Sequence, residues 1–254
     1  MRLIFSGAIV ATVALLSGCA AVKSGDVGSL MEVGGSAFKA ATLNDADISA
    51  LSDRSCAAID SKSNIAPAAN KYAKRLATVM GDLPSQIKGQ TVSSKVYLTN
   101  EVNAWAMGNG CIRVYSGLMD LMNDDELRGV IGHEQGHVAL GHSKKAMQTA
   151  YAVTAARQAA GAAGGATAAL SASQMGDFTE KLINAQFSQS QESDSDNYAF
   201  DLLNKRNLKL GGLVTAFEKL AKLGGGKSSM FDSHPSSTDR AANMQKKIDT
   251  VKKG

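Results

Sequence analysis

The amino-acid sequence predicts an α+β fold that is predominantly helical, with one small system of β-strands. Two observations lead to this fold class. Apolar residues recur at helical spacing both before and after the middle of the chain. Between Thr91 and Tyr115, by contrast, β-branched and aromatic residues are enriched, and Gly108 and Gly110 interrupt the pattern. This combination is typical of a strand hairpin.

Helices are expected on both sides of these strands. From Asp47 to Met80 the helical spacing is interrupted near Pro67, so this region predicts two helices. Another helix is expected to begin near Asp124 and Asp125, because acidic residues at a helix start complement its dipole. The later segments predict an Ala-rich helical hairpin over 151–175, helical structure over 178–203 and a lysine-rich terminal helix.

Length and charge narrow the class of protein. The chain has 254 residues, 44% of them hydrophobic, so it can bury one sizeable core in addition to a short leader. Its 27 basic and 23 acidic residues give a formal net charge of +4. That excess is too mild to indicate nucleic-acid binding, so no nucleic-acid partner is expected.

The first residues have the features of an exported lipoprotein. Arg2 is followed by an apolar run from Leu3 to Leu16, which is too short to span a bilayer comfortably, and then by Ser17-Gly18-Cys19. Residues 1–18 are therefore predicted to be a lipoprotein signal peptide, with a lipid on Cys19 that anchors the chain to a membrane. The alternative is an ordinary cleaved leader followed by an incidental cysteine.

The predicted export has consequences for location and for the other cysteines. Residues 19–50 are rich in small residues and are expected to form the acylated start and a tether, followed by the folded domain over 51–254. In similar lipoproteins, Ala20 after the acylated cysteine favours the outer membrane, facing the periplasm. That compartment is oxidising, so Cys56 and Cys111 are candidates for a disulfide, with two buried free thiols as the alternative.

The segment His133-Glu134-Gln135-Gly136-His137 carries the chemistry. On a helix, residues four apart differ by roughly 40° in azimuth, so both imidazoles can reach a single Zn²⁺. Glu134 lies one step around the helix, where it can hold the water that attacks a peptide. Such polar side chains in apolar surroundings would be costly to bury without a metal. The pattern predicts a metallohydrolase with zinc as its cofactor.

A third ligand is needed, and the pattern leaves two places for it to consider. Ser143 stands where a metzincin would supply a third histidine, and His142 lies roughly 140° around the helix from His137. His142 is therefore expected to contact groups near the helix end. Glu192, with Asp196 one turn on, is the candidate for a His₂Glu site. The alternative is an acidic helix face in solvent.

Several segments together resemble a known family, the HtpX/BepA/Oma-type gluzincin zinc metallopeptidases. The resemblance covers nearly the whole chain, and the segments that carry it are 102–107, 110–119, the zinc helix, Phe187-Ser188-Gln189 leading to Glu192 and Asp196, and His234-Pro235 with Arg240. The resemblance implies a zincin-like fold, one zinc per chain, Glu192 as third ligand and Asp196 as its support. Ser195 departs from the alanine that commonly precedes this aspartate.

The resemblance also implies roles for residues outside the zinc helix. An edge of the small sheet would lie over the zinc helix and pair with a substrate backbone, which explains broad sequence acceptance. Its residues are Asn103, Ala104, Trp105, Ala106 and Met107. His234 would either stabilise the oxyanion during catalysis or occupy the fourth zinc position and keep the enzyme inactive. Arg240 would bridge acidic groups of the active-site helices.

These observations predict a zinc-dependent metalloendopeptidase, in which Glu134 is the base. Location and resemblance indicate unfolded or damaged envelope polypeptides as substrates, in protein quality control. Two alternatives stay open: a latent protease, and a zinc-containing chaperone or adaptor lipoprotein with little basal activity. A partner among envelope proteases or assembly machinery is a further hypothesis.

Overall fold

The computed structural model describes residues 43–159, 170, 172–183, 185–223, 234 and 237–252. The predicted signal peptide and Cys19, the predicted site of lipidation, lie outside these residues. The helices, in chain order, are α1 (Asp45–Asp60), α2 (Lys71–Gly81), α3 (Ser116–Leu121), α4 (Asp124–Ala139), α5 (His142–Ala159), α6 (Ala172–Ile183), α7 (Gln189–Lys205), α8 (Gly211–Leu223) and α9 (Ser237–Val251). The strands are β1 (Gln86–Ile87), β2 (Gln90–Thr91), β3 (Ser93–Tyr97), β4 (Ala104–Ala106) and β5 (Cys111–Tyr115).

The predicted strand system is a three-stranded sheet in the order β3-β5-β4. Strand β5 is central; it runs parallel to β3 and forms an antiparallel hairpin with β4. Gly110 has a φ of +80° in the hairpin loop, a conformation that glycine adopts without strain. Strand β4 is therefore an edge of this sheet, and it lies against α4. A separate pair, β1 and β2, forms a short antiparallel hairpin.

The main hydrophobic core lies between the sheet and helices α2, α3, α4, α7, α8 and α9. Helix α4 runs through this core and packs most extensively against α7. Gly136 allows this close approach, because a Cβ at that position would lie 3.0 Å from the Cα and the carbonyl oxygen of Ser195. This contact fixes the residues of α7 that lie one turn before and one turn after Ser195.

A second, smaller core joins α1 to α5 and α6. Asn44 caps α1, and Leu43 and Ile48 are buried, with 7% and 3% of their surface exposed. The tether was expected to extend to residue 50. That boundary was placed too late, because residues 43–50 supply apolar side chains to this core and the folded part already includes Leu43.

Two connections fix α1 to the central strand. A disulfide joins Cys56 of α1 to Cys111 of β5. At the end of the same helix, the Asp60 carboxylate accepts hydrogen bonds of 2.8 and 2.9 Å from the buried Arg113 guanidinium. Among the residues that the structure describes, no helix has both the length and the apolar character needed to cross a bilayer.

Candidate active site and metal centre

Helix α4 presents both histidines of the predicted zinc pattern to one buried space. Its start is stabilised by a capping box between Asn123 and Glu126, which satisfies backbone N–H groups of the first turn. His133 and His137 lie one turn apart, and each is 1% exposed. Their Nε2 atoms are 3.0 Å apart. The residue spacing therefore produces the convergence of imidazoles that it predicted.

Two side chains from distant parts of the sequence complete a four-residue cluster. Glu192 of α7 places its Oε1 3.2 Å from His137 Nε2, and its Oε2 3.5 Å from His133 Nε2. His234 places its Nδ1 3.2 Å from His133 Nε2 and 2.8 Å from Glu192 Oε1. One ligand atom from each residue lies within 4.8 Å of all the others, and all four residues are buried.

The donor set and its spacing fit a zinc ion. Ligands at about 2.0 to 2.1 Å from a tetrahedral zinc lie roughly 3.3 Å from one another. The five distances given above, from 2.8 to 3.5 Å, fall around that value. Imidazole nitrogen and carboxylate oxygen are the donors of a His₂Glu site. The residues present could therefore hold a zinc ion without rearrangement of their backbones.

Helix α7 brings in the acidic residues. Ser188 caps its start, and its side chain accepts a hydrogen bond from the Gln191 N–H. Glu192 and Asp196 follow at a spacing of four and face α4. Asp196 Oδ1 lies 2.8 Å from His133 Nδ1, the ring nitrogen that does not face the cluster. Such a carboxylate fixes the tautomer of a metal-binding histidine and raises its basicity. Glu192 and Asp196 therefore do not lie on an acidic helix face in solvent.

Arg240 of α9 connects the two carboxylates. Its Nη1 lies 2.7 Å from Glu192 Oε2, and its Nε donates to Asp196 Oδ2 at 2.8 Å. The guanidinium also lies over the Phe217 ring, 4.2 Å from the ring centroid. This cation neutralises part of the negative charge that Glu192 and Asp196 bring into a buried site.

The electrostatics of the two glutamates differ. Burial would raise the pKa of Glu192, but the three neighbouring histidines outweigh that effect and hold its pKa below the ordinary value, so it is charged. Glu134 is fully buried, and its pKa is raised because burial disfavours the charged form. Its Oε1 is buried without a hydrogen-bond partner in the described structure. The Glu192 carboxylate therefore suits a metal ligand, and the Glu134 carboxyl suits a base.

Comparison with known proteins decides which family this site belongs to. A sequence model described as peptidase family M48 matches residues 69–248, more than half of the chain. The chain belongs to peptidase family M48. It is 51% identical over 242 residues to Metalloprotease YcaL of Escherichia coli K12, covering 95% of each chain. It is also 53% identical over 240 residues to Metalloprotease LoiP of the same organism, covering 94% of this chain and 93% of the relative.

Family membership confirms the resemblance inferred from the motifs, the zincin-like α+β fold class and the enzyme class. The chain is an M48 metalloprotease. Its matched region includes the four cluster residues together with Glu134, Asp196 and Arg240. The metal site therefore lies within the part of the chain on which membership rests.

Strand β4 of the M48 protease lies against α4, the helix that carries His133 and His137. The resemblance implied a substrate-binding edge here, from Asn103 to Met107. The Asn103 C=O and the Met107 N–H are bonded to β5. Hydrogen-bonding directions alternate along a strand, so the backbone groups of Ala104 and Ala106 face the open edge. There, Ala106 O accepts a hydrogen bond from Ser143. The buried Asn103 Oδ1 has no partner in the described structure.

Two neighbours of His137 in this M48 site were not identified as site residues from the sequence. The ring of Phe187 stacks on His137 with centroids 3.9 Å apart. His142 places its Nδ1 3.1 Å from His137 Nδ1, and the Ser195 hydroxyl lies 3.3 Å from the same His142 atom. The serine that departs from the family pattern therefore contacts His142. The sequence did contain a signal for Phe187, because this residue begins the family-like segment that leads to Glu192.

Proposed function

We propose that the chain is a zinc metalloendopeptidase anchored by a lipid on Cys19 to the outer membrane, where it hydrolyses unfolded or damaged envelope polypeptides in the periplasm. The observation that carries the catalytic part is the convergence of His133, His137 and Glu192, together with His234, whose Nε2 lies 3.5 Å from the Glu134 carboxyl. The anchor and the location rest on the sequence before residue 43 and on the likeness to exported lipoproteins.

Three residues of this chain would hold one zinc ion: His133 and His137 through Nε2, and Glu192 through its carboxylate. A zinc ion so held supplies a Lewis acid, which polarises a peptide carbonyl and makes water more acidic. Glu134 accepts the proton of the attacking water and passes it to the leaving amine. The raised pKa of Glu134 makes it a stronger proton acceptor for the first step.

The substrate would bind as an additional strand on β4. The outward backbone groups of Ala104 and the outward Ala106 N–H offer hydrogen bonds that any polypeptide can match. The unpaired Asn103 Oδ1 adds an acceptor at the start of this edge. Only an extended, unfolded segment can pair in this way, which supports unfolded polypeptides as the substrate class.

His234 would hold the protein in a latent state. Its Nδ1 lies among the ligand atoms, 2.8 Å from Glu192 Oε1, whereas its Nε2 is 3.5 Å from Glu134 Oε1. That position suits a fourth metal ligand, which would exclude water from the open position that a catalytic zinc requires. Withdrawal of His234, driven by substrate or by a partner in the envelope, would activate the protease. The oxyanion role is the alternative.

The proposal is tested with a soluble form of the chain, from Ala20 onward, produced in the periplasm. Cleavage of an unfolded protein is measured with and without a chelator and compared with Glu134→Gln, whose zinc content is determined in parallel. Glu218→Gln, an exposed glutamate on α8, is the matched control. We expect one zinc in all three proteins, chelator-sensitive cleavage by wild type and control, and none by Glu134→Gln. Zinc without cleavage in any protein, together with suppressed aggregation of the unfolded protein, would favour the chaperone alternative.

A further inference from the structure

A groove next to the metal centre is not used by the mechanism above. It has a volume of about 340 Å³ and lies between one face of α5 and the segment that joins α6 to α7. Its apolar lining includes Ala146, Ala150 and Val153, and Val153 is 41% exposed. An open, partly apolar groove of this kind suits a segment of polypeptide better than a small rigid ligand.

The groove begins at the active site. His142 and Phe187 line its inner end, and both side chains contact His137. Phe187 also lines a small apolar pocket on its other side, which is bounded by Trp105 and Met107 at the β4 edge. A polypeptide paired with β4 and passing the metal would therefore meet this groove within a few residues of the scissile bond.

The formal charges in the groove are both positive. Lys145 of α5 and Lys181 of α6 line it, and no aspartate or glutamate is among its described lining residues. Lys181 Nζ donates to the Thr154 hydroxyl at 3.3 Å, and within the described part of the chain neither ammonium group lies within 4 Å of a carboxylate. By contrast, the adjacent Lys144 is paired with Asp45 at 2.6 Å. The two groove lysines are thus available to a negatively charged ligand.

We propose that this groove is a substrate subsite that binds an acidic side chain of the polypeptide, between Lys145 and Lys181, close to the scissile bond. The inference rests on the proposed function, since it assigns the occupant of the groove as the substrate. The apolar floor accommodates the methylene groups of a glutamate while the two ammonium groups contact its carboxylate. The subsite adds an acidic preference to an enzyme whose backbone pairing is otherwise indifferent to sequence.

Binding measures the subsite without requiring catalysis. The probe is a fluorescein-labelled unfolded peptide in which one position at a time is Glu, Gln or Lys, titrated by anisotropy with zinc-loaded Glu134→Gln protein. Each exposed ion pair changes affinity by about 1.4- to fivefold, so the two pairs together should give about two- to thirtyfold tighter binding for Glu than for Gln at one fixed position. The preference should weaken at high salt, since the charges are accessible to solvent.

The variant is Lys145→Gln/Lys181→Gln, and the control is Lys74→Gln/Lys246→Gln, which removes the same charge from exposed positions elsewhere. The preference for Glu should vanish in the variant and persist in the control. An equal loss in both, or no preference in wild type, would overturn the proposal. A second result would also overturn it. In that result the protein binds phosphatidylglycerol vesicles through Lys145 and Lys181, while its preference for glutamate in the peptide does not depend on these lysines.

Cleavage-site mapping separates failure of this inference from failure of the proposed function. Fragments of an unfolded carboxymethylated protein are sequenced by mass spectrometry after digestion by wild type and by the lysine variant. Acidic residues should be enriched at one fixed distance from the cut by wild type alone. Chelator-sensitive cleavage with identical profiles contradicts the subsite only. Absence of chelator-sensitive cleavage contradicts the proposed function. In that case the peptide-binding measurement still decides whether the groove prefers an acidic side chain.

Discussion

The close contact of α4 with α7 gives a quantitative prediction. In Gly136→Ala the new Cβ would lie 3.0 Å from two backbone atoms of Ser195, so α7 must shift by a few tenths of an ångström. Such overpacking costs about 1 to 3 kcal/mol, against a gain of up to about 1 kcal/mol from replacing a helical glycine. We expect net destabilisation of about 1 to 2 kcal/mol.

The same shift should weaken metal binding, because Glu192 lies one turn before Ser195 on α7. Disturbing the support of a ligand typically reduces metal affinity about 10- to 100-fold. The assays are urea unfolding and zinc competition with a chelator. Gly176→Ala on α6 is the matched control, since nothing lies within 4 Å of its Cβ and it should be neutral or stabilising. Wild-type stability and zinc affinity in Gly136→Ala would refute the reasoning.

Three further predictions concern the site and its surroundings. Burial would raise the pKa of Asp60, but salt bridges and hydrogen bonds, led by those of Arg113, lower it from 3.8 to about 2. The charged Asp60 therefore stabilises the folded protein by about 2 kcal/mol above pH 4, and this stabilisation is lost as the pH falls towards 2. Asp60→Asn should therefore be less stable than wild type in urea at pH 7, with the gap closing at low pH; a pH-independent gap would contradict this. His234→Ala should raise basal cleavage if His234 is a fourth ligand, whereas a fall of about a hundredfold would indicate an oxyanion role instead. Arg240→Gln removes the cation between two buried carboxylates and should cost about 3 kcal/mol in urea, with partial recovery in Arg240→Lys. An unchanged midpoint would contradict the bridging role.

Local patterns predicted much of the fold and half of the site. The spacing of His133 and His137 is a property of one helix, so it was sufficient to place both imidazoles together. The glycines near 108 and 110 likewise marked the β4–β5 hairpin, because turn chemistry is local. Glu192 lies 55 residues or more from both histidines, and only the family resemblance singled it out among the acidic residues near it.

Contacts between distant segments could not be derived from the sequence alone. The stacking of Phe187 on His137 and the support of His142 by Ser195 depend on how α5 and α7 pack against α4. The start of the folded domain was misplaced for the same reason. Leu43 and Ile48 stand in a stretch of small and polar residues, and their importance follows only from the second core that α5 and α6 form with α1.

The central claim is that one zinc ion binds to His133, His137 and Glu192, with His234 in the fourth position. X-ray absorption spectroscopy at the zinc edge on the mature protein tests it most directly, alongside metal analysis by mass spectrometry. We expect one zinc per chain with three imidazoles and one carboxylate, and two imidazoles in His234→Ala. A protein without zinc, or a zinc whose ligand set is unchanged in both His137→Ala and Glu192→Gln, would contradict the claim.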